Sequence, residues 1–104
     1  MGHVNNAVYS TYLEQARIDL LGDLSEFILA RVEIDFRAEV RDAEEVEIRS
    51  CLDRMGTKSF DLRHELHAAR ALVAEAKSVL VSYDYALGRS IPVPQGLRQR
   101  LTGT

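Results

Sequence analysis

The sequence predicts an α+β domain in which one long central helix is wrapped by a curved antiparallel sheet. A helical period comes first, over residues 7–21, and a strict two-residue period follows over residues 27–40. Three further strand-like segments then fill most of the chain. A helix with a wide apolar face and strands with one apolar face each can bury both surfaces when the sheet curves around the helix.

The predicted helix runs from Ala7 to Leu21. Asn5 or Asn6 can cap its N-terminus, because a carboxamide oxygen accepts hydrogen bonds from the unpaired amides of the first turn. Gly22 is expected to end it. The helix carries apolar residues at helical spacing, namely Val8, Tyr12, Leu13, Ala16, Leu20 and Leu21.

Four strands are predicted after the helix. The first runs from Phe27 to Val40, and its strict alternation is typical of a half-buried strand. The second and third, around 46–55 and 60–66, also alternate. The fourth, 72–85, is apolar on both faces near its middle, which predicts a central position in the sheet. A short helix is predicted from Gln95 to Leu101. The apolar face of the first strand is predicted to carry Ile28, Ala30, Val32, Ile34, Phe36, Ala38 and Val40.

Size and charge restrict the possible functions. The chain has 104 residues and a net charge of −3, which fits one domain, 1–104, without an electrostatic reason to bind nucleic acid. No apolar run approaches the ~18 residues of a membrane span. The single cysteine, Cys51, excludes an internal disulfide and suits a reducing compartment, so a cytoplasmic location is expected. Scattered histidines without ligand spacing predict no metal site.

The run Gly2-His3-Val4-Asn5-Asn6 directly precedes the helix and is the main candidate site. Amides at a helix N-terminus, together with the helix dipole, favour developing negative charge. A flexible residue, an imidazole and two carboxamides at this place are the composition of a substrate loop. On local chemistry an alternative stays open: Asn5 and Asn6 can form a cap and a turn, and His3 can be a frayed terminal residue.

These residues resemble the loop and helix start of hotdog-fold acyl-CoA thioesterases of the 4-hydroxybenzoyl-CoA thioesterase-like group. Plant-type acyl-carrier-protein thioesterases share a similar His-Val-Asn-Asn run. The resemblance implies a hotdog fold, hydrolysis of an acyl-CoA or acyl-carrier-protein thioester, no cofactor, and a homodimer or homotetramer. The family pattern also places a strand and a catalytic Asp ahead of the loop, and both are absent from the given sequence. We therefore expect either that Met1 is an internal methionine and the reading frame extends upstream, or that the gene is truncated. The likeness is carried by Gly2–Tyr9, Tyr12–Arg17, Leu72–Lys77, Val81–Asp84 and Gly88–Pro94.

The resemblance also assigns roles within the loop. His3 and Asn5 are the predicted catalytic residues, His3 as general base or polarising group and Asn5 as an oxyanion donor beside the loop amides. On their chemistry Tyr9 and Tyr12 can line the acyl pocket, although aromatic residues on a buried helix are more often core. Arg89, or Arg70, is a candidate donor to the phosphates of coenzyme A. The predicted substrate-binding set is Gly2, Val4, Asn6, Tyr9 and Arg89.

Several other interpretations were open from the sequence. The chain can be a non-catalytic hotdog domain that binds acyl thioesters or only oligomerises, or a hotdog dehydratase. Glu14 can replace the missing carboxylate, but pairing with Arg17 or with a strand residue is favoured. His64 is expected to be a hydrogen-bonded core or interface residue, and His67 to be solvated. A Cys51–His64 nucleophilic pair is disfavoured, because Cys51 alternates with polar residues.

Overall fold

The computed structural model describes residues 6–22, 25–37, 45–68 and 71–103, with side chains from residue 11 onward. The order of elements confirms the predicted α+β class, with one long helix followed by strands. A two-residue strand after the fourth one was not predicted. In chain order the elements are α1 (Asn6–Leu21), β1 (Phe27–Phe36), β2 (Val46–Met55), β3 (Ser59–Ala68), β4 (Ala71–Asp84), β5 (Arg89–Ser90) and α2 (Gln95–Thr102).

The strands form one antiparallel sheet in the order β1-β4-β3-β2, and β5 pairs with the end of β4. β4 pairs on both sides, which confirms the central position predicted from its apolar faces. α1 packs against the concave face of this sheet, because its buried Leu13 and Leu21 contact residues of β3 and β4. Neither helix of the described chain is long and apolar enough to cross a membrane.

β1 departs from the predicted alternation at Ala30. Leu29 pairs with Leu80 and Arg31 pairs with Val79, so Ala30 is an extra residue in a β-bulge. Ile28, upstream of the bulge, therefore faces the outer side of the sheet, whereas Val32, Ile34 and Phe36 face the concave side. The prediction of one apolar face from Ile28 onward was wrong, because an inserted residue reverses every side chain beyond it.

The expected half-burial of β1 was also wrong. Ile28, Leu29, Val32 and Phe36 are 37%, 42%, 39% and 46% exposed, so both faces of this edge strand are accessible. α1 lies on the concave face over the other strands, and on β1 it is Phe27 and Ile34 that pack against the buried clusters. The predicted continuation through Ala38 and Val40 lies outside the described residues.

The buried core consists of two clusters along α1. One surrounds Leu13 and lies near the turn between β3 and β4. The other surrounds Leu21 and lies at the opposite end of the sheet, where α2 and Val93 close it. The first also contains Leu66, Ala68, Val73, Ala74 and Ala76, and the second Phe60, Leu62, Leu80 and Val93.

Candidate functional site

Four polar side chains lie between the two apolar clusters, and we refer to Arg17, Ser78, His64 and Ser50 as the polar belt. Each comes from a different element: α1, β4, β3 and β2. Arg17 is 5% exposed, and His64 and Ser78 are fully buried. Their positions follow from the periods of the elements. Arg17 lies four residues from both Leu13 and Leu21, so it shares their buried helix face.

Hydrogen bonds join the belt from the helix to the edge of the sheet. Arg17 Nη1 donates to Ser78 Oγ at 3.0 Å. Ser78 Oγ lies 2.9 Å from His64 Nε2, and His64 Nδ1 lies 2.7 Å from Ser50 Oγ. Arg17 Nε is buried and has no partner among the described residues. The belt confirms the expectation that His64 is a hydrogen-bonded core residue.

Burial keeps the imidazole of the belt uncharged. Burial, as the larger cause, and the charge of Arg17, as the smaller one, together lower the pKa of His64 from 6.5 to about 4. Burial also lowers the pKa of the Arg17 guanidinium, while the nearby carboxylate of Glu14 raises it. Glu14 therefore acts on Arg17 electrostatically, from an exposed position on α1. His64 is neutral at neutral pH.

A cavity of ≈ 400 Å³ opens between α1 and the edge strand β2, at the Ser50 end of the belt. Tyr12 lines this cavity and also packs against the cluster around Leu13, so it is both a wall and a core residue. The remaining walls include Ala16 and Leu20 from α1 and Val46, Ile48 and Ser50 from β2.

Most of the sequence-predicted site precedes the described chain. Gly2, His3, Val4 and Asn5 lie outside the described residues. Asn6 is the first residue of α1 and Tyr9 lies within it, but only their backbone is described. The predicted helix start at Ala7 is therefore one residue late.

Arg89 is exposed on β5, opposite Asp84. The Asp84 carboxylate accepts hydrogen bonds from the amides of Ala86 and Leu87 at 2.9 and 3.0 Å, which shapes the turn between β4 and β5. This turn lies beyond the Leu21 end of α1, whereas Asn6 lies at the other end. Within one chain the fold thus separates Arg89 from the helix start, and Arg70 lies outside the described residues.

The remaining candidates are separated by the sheet. Cys51 pairs with Arg63 and Ser50 pairs with His64, so the Cys51 thiol faces the outer side and the imidazole the concave side. They cannot act as a nucleophilic pair. His67 was expected to be solvated, but it is half-buried, with Nε2 3.1 Å from a carboxylate oxygen of Glu65.

The polar belt was not predicted from the sequence. One signal was available, since Arg17 is a charged residue within the apolar stripe of α1. Ser50 and Ser78 carried a weaker signal, as polar residues at inward positions of their strands. Nothing in a strand period shows that these three positions and His64 lie at the same level of the fold.

With this architecture, a helix held in the concave face of an antiparallel sheet, the chain has the hotdog fold of thioesterases. It belongs to the thioesterase-like superfamily, whose family profile matches residues 1–101. This confirms the fold and the family that the sequence resembled. No curated protein matches the sequence.

Solved structures agree with this assignment. A predicted thioesterase from Bacillus stearothermophilus is similar at a TM-score of 0.90 and 25% identity, over 98% of this chain and 83% of that one. A thioesterase from Thermus thermophilus, determined with coenzyme A and zinc, has a TM-score of 0.87 and 30% identity, over 98% and 81%. A gentisyl-coenzyme A thioesterase shares the fold at 20% identity and a TM-score of 0.85, over 97% and 88%.

Proposed function

We propose that this chain hydrolyses an acyl-CoA or acyl-carrier-protein thioester to a free acid and a thiol. The observation that carries the proposal is the match to the thioesterase-like superfamily over residues 1–101, which includes the loop Gly2–Asn6 and the helix after it. The coenzyme A bound to the Thermus thermophilus thioesterase supports CoA thioesters as the substrate class.

In the proposed reaction, water attacks the thioester carbonyl carbon and the carbonyl oxygen becomes anionic. His3 accepts a proton from the water, while Asn5 and the first-turn amides donate to the oxyanion. The C–S bond then breaks, and the departing sulfur takes up the proton to leave as a thiol. The start of α1 at Asn6 supports this role for Asn5, since unpaired helix amides follow it directly.

The remaining predicted residues are proposed to hold the substrate. Gly2, Val4 and Asn6 would border the thioester and Tyr9 the acyl chain. Arg89 would bind phosphate groups of coenzyme A. α1 has 16 residues and is roughly 24 Å long, and it separates Arg89 from the loop of the same chain. Arg89 would therefore reach the phosphates of a coenzyme A that is bound in an extended form, or of one that is bound at the loop of a neighbouring copy.

We also propose a homo-oligomer that forms through β1. Within the described residues β1 has one strand neighbour, β4, and its apolar side chains are exposed on both faces. An edge strand of this kind is stabilised when a second copy adds its own β1 about a two-fold axis, which pairs the open edge and covers the apolar residues. A homotetramer would require a further interface.

The test is a thioesterase assay on purified protein with Asn5→Ala and His3→Ala variants. Loss of one oxyanion donor or one general base should lower kcat/KM about 100-fold. Gln99→Ala, at an exposed carboxamide on α2, is the matched control and should keep full activity. Equal, background hydrolysis by all proteins would contradict the proposal and favour an acyl-thioester-binding domain.

The assay needs one precaution. Cys51 is an exposed free thiol, so reagents that detect released coenzyme A will also react with the protein. Cys51→Ser removes this background and lies on the outer face, away from α1. The same free thiol suits a reducing compartment, which supports our proposal of a cytoplasmic location.

A further inference from the structure

We propose that a cleft at the end of β4 binds an organic ammonium ion, which rests against the rings of Tyr83 and Tyr85 and is attracted by the carboxylates of Glu26 and Asp84. The proposal goes beyond thioester hydrolysis and does not depend on it. It follows from an aromatic corner and two carboxylates that line the same cavity.

The cleft lies where β4 ends and β1 begins, and its volume is ≈ 350 Å³. Backbone hydrogen bonds fix its walls. The Tyr83 amide donates to the Glu26 carbonyl at 3.0 Å. The Ile91 amide donates to the Ser82 carbonyl at 3.0 Å. The cleft is therefore a formed part of the fold, with a volume in the range of small-molecule sites.

The rings of Tyr83 and Tyr85 form an aromatic corner in the lining of the cleft. Their centroids are 4.9 Å apart and their planes meet at 66°. The Tyr85 hydroxyl donates to the Phe27 carbonyl at 3.2 Å, so the ring is held in place although the residue is 62% exposed. The face of an aromatic ring attracts a cation that lies within about 6 Å of its centroid. A ring that is both held and accessible can bind such a cation with little loss of conformational freedom.

Glu26 and Asp84 add negative charge to the lining. The Asp84 carboxylate is fixed, because one of its oxygens accepts from the amides of Ala86 and Leu87 at 2.9 and 3.0 Å. Arg89 is opposite Asp84 on β5, but its side chain is exposed. Among the described residues no ion pair involves Glu26 or Asp84. Neither carboxylate is thus neutralised by a partner there.

The lining selects an alkylated ammonium ion over other ligands. The apolar side chains of Ile91 and Pro94 share the cleft with the rings, and they suit a cation whose charge is spread over carbon substituents. An anion would be repelled by both carboxylates. A calcium ion takes about six to eight oxygen ligands. Within the described chain no group of three side chains could hold a metal ion.

The first test compares two ligands of the same shape by ¹H–¹⁵N NMR titration of the intact protein. Choline carries the ammonium charge, and dimethylbutanol is its neutral analogue, in which a carbon atom replaces the nitrogen. Choline is expected to give saturable shifts at the backbone amides of the cleft and to bind about tenfold more tightly than the alcohol. Equal affinities, or no saturable binding of choline, would overturn the proposal.

The second test removes the aromatic face. Tyr85→Leu keeps an apolar side chain but removes the ring, so it should weaken choline binding about fivefold and leave dimethylbutanol binding unchanged. Tyr85→Phe keeps the ring and removes the hydroxyl, and it should retain the affinity for choline to within about twofold. Equal choline affinity of the parent protein and Tyr85→Leu would contradict the role of the ring.

The third test removes a charge. Asp84→Asn keeps an oxygen that can accept from the turn amides, and it should weaken choline binding about threefold. Asp19→Asn is the matched control, since Asp19 is an exposed carboxylate on α1, and it should leave the affinity unchanged. An equal loss in both variants would show attraction by the net charge of the protein and would refute a site at the cleft. No thioester is used in these titrations, so their failure is separate from failure of the hydrolysis assay.

Discussion

At the scale of single residues, His64 is a base whose surroundings oppose its protonation. Its imidazole is completely buried, and among the described residues Arg17 is the charged group that faces it from the helix. Ser50 and Ser78, on the neighbouring strands, occupy its two nitrogens. A proton on His64 would place a second positive charge in the belt and remove the acceptor that Ser78 requires.

We expect the free energy of unfolding to fall as the pH falls below 6.5. The pKa of His64 is about 4 in the folded protein and near 6.5 when unfolded, so the unfolded state binds the extra proton first. Protonation of His64 should lower the free energy of unfolding by about 2 kcal/mol between pH 7 and pH 5. Urea unfolding at both pH values measures the loss. His64→Gln should reduce the pH dependence by that amount, and an unchanged slope would contradict the prediction.

The effect of the Arg17 charge on the pKa of His64 should be measurable. Because that charge is the second cause of the lowered pKa, Arg17→Met should raise the pKa of His64 from about 4, while burial keeps it below 6.5. NMR titration of the imidazole gives the value. Arg63→Met is the matched control, since Arg63 neighbours His64 on β3 but faces the outer side of the sheet. A similar shift in both variants would contradict the assignment.

At the scale of elements, α1 depends on contacts at both its middle and its end. Arg17 ties it to β4, and the backbone amide of Gly22 donates to the Ile18 carbonyl at 2.7 Å where the helix stops. Gly22 has φ +90, a left-handed conformation that costs residues with a Cβ atom about 1 kcal/mol. Gly96, in α2, has no positive φ, and a Cβ atom added there would meet no other atom within 4 Å.

Two alanine substitutions should therefore act in opposite directions. Gly22→Ala is expected to lower the free energy of unfolding by about 1 kcal/mol, because the backbone must remain left-handed. Gly96→Ala should raise it by roughly 0.5 kcal/mol, because alanine favours the helical state. Denaturant unfolding of both variants tests the pair. If both variants changed the free energy of unfolding by the same amount and in the same direction, the end of α1 would be able to rearrange without strain.

At the scale of the whole molecule, β1 and β2 are both edge strands of the described sheet, but they differ in how much apolar surface they expose. The helices pack on the concave face over β2, β3 and β4, while β1 keeps apolar residues accessible on both faces. The bulge at Ala30 places Ile28 on the outer side and Val32 on the concave side, so any partner must cover both. A second copy paired along β1 can do this.

Val32→Lys should weaken self-association if copies meet at β1. A charge placed against the apolar concave surface of the partner would lose hydration without a counter-charge. Light scattering during size-exclusion chromatography gives the mass as a function of concentration. Leu87→Lys, at a 59% exposed residue of the turn after β4, is the control and should not change the mass. Dissociation by Leu87→Lys alone would place the interface elsewhere.

Local periodicity was sufficient for most of the fold. The three-to-four-residue repeat from Val8 to Leu21 predicted α1, and two-residue alternation predicted the strands that follow it. The central position of β4 was predicted from its apolar residues on both faces. The loop before α1 was identified by its chemistry, and the family match supports its assignment, but its side chains lie outside the described residues. Its catalytic role stays a prediction.

The bulge, the exposure of β1 and the polar belt were decided by the tertiary structure alone. A repeat in the sequence shows which residues share a face, because that depends on neighbours within one element. It does not show which other element covers the face, or at what height side chains from separate elements meet. Arg17 and Ser50 are 33 residues apart in the chain. They belong to one belt only because packing sets α1 and three strands at a common level.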